Sequence, residues 1–234
     1  MSRAAWLAAA AVSAVAAIAA EMWGLRGLFM VLKPLTTALL IAWAWPRGAG
    51  EPLRQAALRA GLVLSWLGDV ALLWPREGFL PGLVAFLLAH LAYLVVFGRS
   101  RPAAHGASRW APFIAYAAVA AGVLAHLWPG VPAALRAPVM AYVAALGSMA
   151  ALSAGAWLAA RGTPAHAAAR LGAVGGLLFL LSDALLATHR FAGPVPMAGV
   201  GILATYWVAQ AAIAASLAAP APASAPAHGA VSAA

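Results

Sequence analysis

Two aspartates lie inside apolar stretches of the sequence, where a carboxylate calls for a chemical explanation. Asp69 lies in "LSWLGDVALLW", residues 64–74, and Asp183 lies in "LFLLSDALLAT", residues 178–188; the chain has no other aspartate. An ionised carboxylate at the centre of a bilayer costs about 2.5–3.5 kcal/mol on insertion scales, so we expect both to face the protein interior. Two carboxyls sharing a site of low dielectric supply both a proton donor and a base. The pair therefore predicts acid–base catalysis.

The single lysine of the chain, Lys33, is predicted at the same depth as the two aspartates. Each of the three lies seven residues from an arginine at one predicted membrane boundary: Arg26, Arg76 and Arg190. At 1.5 Å per residue, this spacing puts all three groups roughly 10 Å below that boundary. Two interpretations stay open. Lys33 forms a structural ion pair with one aspartate, or the three groups form a site with one surplus acid.

Further polar residues lie on apolar segments and need partners there. His90 and Tyr93 share a helical face, and His90 either relays protons or is satisfied by a backbone carbonyl. Pro34 frees a carbonyl that a following threonine of "KPLTT" can answer, so a helix kink is expected at this point. The residues that we expect to bind substrate or to support the aspartates are Lys33, His90, Tyr93, Tyr142, Ser182, Tyr206 and Gln210.

The composition predicts the elements that position these residues. Of the 234 residues, 65% are hydrophobic and only 8% are charged, against about 25% charged in soluble domains, so the chain is predicted to be an all-α, polytopic membrane helix bundle. Apolar runs bounded by turn residues predict eight transmembrane helices: 4–20, 26–45, 57–74, 79–97, 110–128, 135–158, 171–189 and 197–217. The absence of cysteine excludes disulfides and thiolate chemistry, and the loop histidines lack metal-ligand spacing, so we expect neither metal nor cofactor.

The distribution of arginine predicts the topology. Nine arginines lie on the side of the termini and four on the opposite side, which puts both termini in the cytoplasm of a cell with an inner membrane. A cleaved signal peptide is the alternative interpretation of the first segment. Aligning the two aspartates at an offset of 114 residues indicates a 4+4 pseudo-repeat. We predict one transmembrane domain over 1–219 and a disordered Pro/Ala-rich tail over 220–234.

Six segments, in this order, resemble the lysoplasmalogenase-like (YhhN-like) family of multi-pass membrane proteins. They are "KPLTT" (33–37), "LSWLGDVALL" (64–73), "FLPGLVAFLLAHLAYLVVF" (79–97), "PVMAYVAALGSMAALS" (138–153), "GGLLFLLSDALLA" (175–187) and "TYWVAQ" (205–210). The resemblance spans nearly the whole chain except the first helix and the tail. It implies hydrolysis of the vinyl-ether bond of lysoplasmalogens, and it implies that Asp69 and Asp183 match the family's two intramembrane aspartates.

The residues fit the chemistry that this resemblance implies. Protonation of the alkene carbon remote from the ether oxygen creates an oxocarbenium ion that water attacks, and this requires one carboxylic acid and one carboxylate, as in glycoside hydrolysis. Lys33, with Tyr142 or Tyr206, is expected to hold the lipid phosphate. The expected partners are a lysophospholipid and the bilayer, and not nucleic acid. Two other classes stay open: a proton-coupled transporter, and a retinal protein that uses Lys33, for which the lysine is the sole support.

Overall fold

The computed structural model describes residues 2–74, 76–99 and 110–217, and within these ranges every regular element is a helix. The eight α-helices are α1 (Arg3–Met22), α2 (Arg26–Ala44), α3 (Pro52–Ala71), α4 (Phe79–Gly98), α5 (Ala111–Leu127), α6 (Ala133–Ala159), α7 (His166–Phe191) and α8 (Ala198–Ala215). A short 3₁₀ turn, Trp128–Gly130, follows α5. The predicted all-helical class is therefore confirmed, while the predicted tail lies outside the described residues.

Most of the helices have the length and composition of membrane spans. Seven are long and apolar enough to cross a bilayer, and the exception among the eight is α3, which carries Arg54, Arg59 and Asp69. Large apolar side chains such as Val12 and Ile114 remain about 70% exposed on the outer surface of the bundle. Such a surface is stable against lipid and not against water, so the protein is a multi-pass helical membrane protein.

The helices pack in a closed ring that surrounds the buried polar residues. Its order is α2, α3, α4, α6, α7, α8 and back to α2; α1 flanks α2 and α8, and α5 packs on the outside against α6. The centre of the ring is filled by large side chains, including Phe86, Met149, Phe179, Tyr206 and Trp207. The ring brings α3 and α7, which carry the two aspartates, to either side of this aromatic core.

Glycines allow close helix contacts on α3 and α7, the helices that carry the two aspartates. At Gly175 of α7, a β-carbon would lie 2.9 Å from the backbone nitrogen of Ile213 and 3.0 Å from the carbonyl oxygen of Ala209 in α8. At Gly61 of α3, a β-carbon would overlap the ring of Tyr93 from α4. Gly175 therefore lets the backbones of α7 and α8 approach closely, and Gly61 leaves the space that the Tyr93 ring occupies.

Candidate active site

Asp183 lies at the centre of a cluster formed by three helices. The hydroxyl of Tyr142, on α6, donates a 2.5 Å hydrogen bond to Asp183 Oδ2, and Nε2 of His90, on α4, lies 3.6 Å from the same oxygen. The side chain of Asp183 is 14% exposed, whereas His90 is completely buried. In this cluster the Asp183 carboxyl group is partly exposed, accepts a hydrogen bond from Tyr142 and faces the imidazole of His90.

The protonation of one nitrogen of His90 follows from its partner. Nδ1 lies 2.6 Å from the carbonyl oxygen of Phe86, four residues earlier on α4. Because a carbonyl oxygen only accepts hydrogen bonds, Nδ1 carries a proton, and Nε2 is the nitrogen that faces Asp183. The 3.6 Å separation is longer than a hydrogen bond, and Nε2 has no other partner within the described residues. A small movement of either side chain would let the two groups exchange a proton.

Asp69 is enclosed in a separate and fully buried cluster. Its Oδ2 accepts hydrogen bonds from the hydroxyls of Thr37 at 2.7 Å and Tyr206 at 2.8 Å, and Lys33 Nζ lies 3.7 Å from Oδ1. Trp207 Nε1 donates a hydrogen bond to the Thr37 oxygen at 3.1 Å. The Thr37 hydroxyl therefore accepts from Trp207 and directs its own proton toward Asp69. Two donated hydrogen bonds and a neighbouring ammonium each stabilise the ionised form of this carboxylate.

An apolar cavity of about 90 Å³ lies between α4, α5, α6 and α7. Its walls are mainly aliphatic and aromatic, and its polar lining comes from Asp183 and Tyr142; the lining includes Leu83, Phe86, Val123, Leu146, Leu180 and Phe191. Neither Asp69 nor Lys33 is among the lining residues. Of the two carboxyl groups, Asp183 is therefore the one that a ligand in this cavity would reach.

An aromatic layer separates the Asp69 cluster from the cavity. The ring centre of Tyr206 lies 5.8 Å from that of Phe86 and 5.5 Å from that of Phe179, in edge-to-face geometry. The other face of the layer supports His90, whose ring centre lies 4.6 Å from that of Phe179. The two clusters are thus neighbours across packed rings, and the structure shows no direct contact between Asp69 and Asp183.

The remaining residues of the predicted set make contacts between helices. The hydroxyl of Tyr93 donates to Oε1 of Gln210 at 2.6 Å, joining α4 to α8, and Ser182 Oγ donates to the carbonyl of Ile202 at 3.0 Å, joining α7 to α8. Their polar groups lie outside the lining of the cavity. The structure therefore groups His90 and Tyr142 with Asp183, and it groups Lys33 and Tyr206 with Asp69.

Thr37 and Trp207 also belong to the Asp69 cluster. Neither the bond from Thr37 to Asp69 nor that from Trp207 to Thr37 was predicted from the sequence. A threonine of "KPLTT" was expected to answer the carbonyl that Pro34 frees, which is that of Met30; instead, Thr36 binds the carbonyl of Leu32 at 2.8 Å, and Thr37 turns to Asp69. The available signal was spacing. Thr37 follows Lys33 by four residues, so the two share a helical face and reach the same carboxylate.

Comparisons with known proteins agree on one family. The sequence model of a family described as the YhhN family matches residues 28–217. Lysoplasmalogenase TMEM86B of Homo sapiens is 37% identical over 188 residues, covering 77% of this chain and 71% of the relative. The TMEM86B lysoplasmalogenase of Sus scrofa is 35% identical, with coverages of 82% and 75%, and the lysoplasmalogenase of Mycobacterium tuberculosis is 33% identical, with coverages of 73% and 63%. No solved structure matches.

Proposed function

We propose, since this chain belongs to the YhhN family and its relatives are named lysoplasmalogenases, that it is an enzyme that hydrolyses the vinyl-ether bond of lysoplasmalogen-type lysolipids. The products are a fatty aldehyde and a glycerophospho-alcohol. The observation that carries the proposal is the position of Asp183: its carboxyl group and the Tyr142 hydroxyl are the polar lining of an otherwise apolar cavity. Such a cavity suits an alkenyl chain whose reactive end meets one acid.

Asp183 is the proposed proton donor. As a carboxylic acid it protonates the alkene carbon remote from the ether oxygen, which forms a C–H bond and leaves an oxocarbenium ion at the carbon bonded to that oxygen. Water attacks that carbon, and the carboxylate left on Asp183 accepts a proton from the water. Asp183 then gives this proton to the ether oxygen while the hemiacetal hydroxyl loses its own proton to the carboxylate, so the C–O bond breaks to aldehyde and alcohol and Asp183 ends as the acid. The reaction consumes one water molecule for each vinyl-ether bond that is broken, and its proton transfers involve carboxyl groups and water.

His90 and Tyr142 support this cycle. The Tyr142 hydroxyl, 2.5 Å from Asp183 Oδ2, orients the carboxyl group, and it stabilises the carboxylate after the proton has left. His90 Nε2, 3.6 Å away, carries no proton when Nδ1 donates to Phe86, so a small movement lets it accept a hydrogen bond from the Asp183 acid and orient the acidic proton. Both residues thus act on the protonation state of one group.

Asp69 is the second carboxylate of the proposed mechanism, with a different task. Its hydrogen bonds from Thr37 and Tyr206 keep its charge in place behind the aromatic layer. A fixed negative charge near the cavity favours the positive charge that develops in the oxocarbenium ion, and its effect is larger in a site that excludes water. Asp69 therefore assists electrostatically, while Asp183 transfers the proton.

The enzyme is proposed to lie in the inner membrane of the cell with both termini in the cytoplasm, as the arginine distribution predicts. In this orientation α7 ends on the opposite side of the membrane, at the boundary marked by Arg190. A lysolipid in that leaflet would reach the cavity from the bilayer.

A turnover assay tests the proposed reaction. Purified protein is mixed with an alkenyl lysophosphoethanolamine, and released aldehyde is measured for the wild type, Asp183→Asn and Glu51→Gln. Asparagine keeps the shape of the side chain but cannot deliver the proton, so we expect a loss of at least about 10²-fold in kcat. Glu51 is an exposed acid paired with Arg54, and its variant is the matched control. Wild-type turnover by Asp183→Asn would exclude Asp183 as the acid.

A further inference from the structure

We propose that the guanidinium group of Arg190 binds the phosphodiester of the lysolipid head group at the boundary end of the cavity. This inference rests on the proposed function, since it assigns the part of the substrate that the apolar cavity does not hold. It concerns a residue that the sequence analysis used only as a marker of membrane depth.

The position of Arg190 relative to the cavity is the first observation. Its guanidinium carbon lies 4.8 Å from the ring centre of Phe79, and that ring packs edge to face on Phe191 at 5.6 Å. Both phenylalanines line the cavity. Arg190 itself is exposed and lies in the last turn of α7, seven residues after Asp183 and therefore on the same helical face. The Arg190 guanidinium thus lies over the Phe79 ring at one end of the cavity.

The second observation is the charge of this group. No carboxylate of the described residues lies within 4.0 Å of the Arg190 guanidinium, whereas Lys33 lies 3.7 Å from Asp69 and does not line the cavity. Stacking on a ring occupies the face of a guanidinium and leaves its N–H edges for an anion. Those edges match two oxygens of a phosphate group, which is the geometry that favours arginine over lysine. Arg190 is therefore a better candidate for the phosphate than Lys33.

The length of the substrate agrees with the spacing of Asp183 and Arg190. Seven residues of helix separate them by roughly 10 Å along the axis. In a lysoplasmalogen, seven covalent bonds join the alkene carbon remote from the ether oxygen to the phosphorus, and at an advance of about 1.2 Å per bond along an extended chain they span roughly 8 Å. A lipid whose alkene carbon meets Asp183 would thus bring its phosphate to Arg190.

An arginine above an aromatic ring at a membrane boundary is also a common anchor, and Arg136 provides the comparison. Its guanidinium carbon lies 4.9 Å from the ring centre of Trp128, near the end of α5. Trp128 does not line the cavity, although Phe79 does. Arg190→Gln and Arg136→Gln therefore remove the same charge from a similar stacked position, and only in the first does the stacked ring line the cavity.

The test compares two substrates that differ only in the phosphocholine head group. One is an alkenyl lysophosphocholine, and the other is the alkenylglycerol of the same chain. We expect Arg190→Gln to raise KM for the phospholipid roughly tenfold or more, which is the loss of a hydrogen bond to a charged group, and to leave KM for the alkenylglycerol unchanged. Arg136→Gln should leave both values near wild type. An equal rise for both substrates, or equal effects of the two variants, would overturn the assignment.

A binding measurement separates this inference from the proposed reaction. The probes are the saturated ether analogues of both lipids, which have no alkene to protonate, and affinity is measured by titration of the purified protein. Weaker binding of the phosphate-bearing analogue by Arg190→Gln, with unchanged binding of the alkylglycerol, supports the phosphate site even if no aldehyde is released from any substrate. Binding of the phosphate-bearing analogue that is the same in wild type and variant would refute it.

Discussion

At the residue scale, the two aspartates have similar sequence contexts and different surroundings. Asp69 accepts a hydrogen bond from the hydroxyl of Tyr206 and faces Lys33. Asp183 accepts one from the hydroxyl of Tyr142 and faces His90. Asp69 is only 2% exposed and is paired with an ammonium, whereas Asp183 reaches the cavity. Removing each carboxylate should therefore have a different main consequence: stability for Asp69 and turnover for Asp183.

The stability of the protein is predicted to depend on the pair of Asp69 and Lys33. Asp69→Asn leaves the Lys33 ammonium buried without its anion, which costs roughly 3–5 kcal/mol. We expect a lowered melting temperature of the detergent-solubilised protein, recovered when Lys33→Met is added. Asp183→Asn, which strands no lysine, is the matched control and should melt near the wild type. A single Asp69→Asn variant as stable as the wild type would show that the pair does not contribute.

The double variant Asp69→Asn, Lys33→Met, with its stability recovered, also measures how much Asp69 contributes to catalysis. If its charge assists the reaction electrostatically, the Asp69→Asn, Lys33→Met protein should fold normally and still turn over more slowly than the wild type. Full activity of this stable protein would restrict Asp69 to a structural role.

The sequence identified the members of these clusters better than it identified their partners. Depth counted from the flanking arginines puts Lys33 level with both aspartates, so it could not decide which one Lys33 meets. The choice is made by packing, since α2 lies beside α3 in the ring and not beside α7. Exclusion of Asp69 from the cavity depends on the rings of Phe86 and Phe179, whose orientation no spacing rule predicts.

At the element scale, the number of helices followed from hydropathy and their ends did not. α3 begins at Pro52 and α7 at His166, each five residues before the predicted start. An apolar run reports the part of a helix inside hydrocarbon, whereas the helical backbone continues into the interface, where water and polar side chains satisfy its ends. Proline at the start of α3 fits this position because the first helical residues need no amide donor.

The contact between α7 and α8 gives a prediction for an element. Gly175→Ala would bring a methyl group within 3.0 Å of backbone atoms of α8, which cannot move as a side chain can, so we expect destabilisation of about 1–3 kcal/mol. Gly122→Ala on α5 is the control, since nothing lies within 4 Å of the added β-carbon, and it should be neutral or slightly stabilising. Thermal melting of both variants in one detergent measures the difference. Equal melting would mean that the two helices are less closely packed.

At the scale of the whole molecule, the closed ring explains how two charged clusters are tolerated in a bilayer. Every polar side chain of the predicted site lies on an inward face and has a partner from another helix or from its own backbone, so none of these groups meets lipid unpaired. The sequence predicted this inward orientation from the cost of buried charge. It did not predict that α5 would lie outside the ring against α6, because a uniformly apolar helix carries no signal for its neighbour.

The predicted eight crossings would return the chain to the side on which it starts, so the arginine distribution becomes a prediction about the orientation of the whole molecule. Nine arginines lie with the termini and four opposite, and loops rich in arginine stay in the cytoplasm. A fluorescent reporter fused after Ala49 or Ala165 should therefore be active in the cytoplasm, and so should one after Ala103, which lies outside the described residues. Fusion after Ala192, between α7 and α8, is the control and should report the opposite side. An opposite-side signal at Ala49 or Ala165 would reverse the orientation and move the Arg190 end of the cavity to the cytoplasmic leaflet, where the enzyme would have to meet its lysolipid.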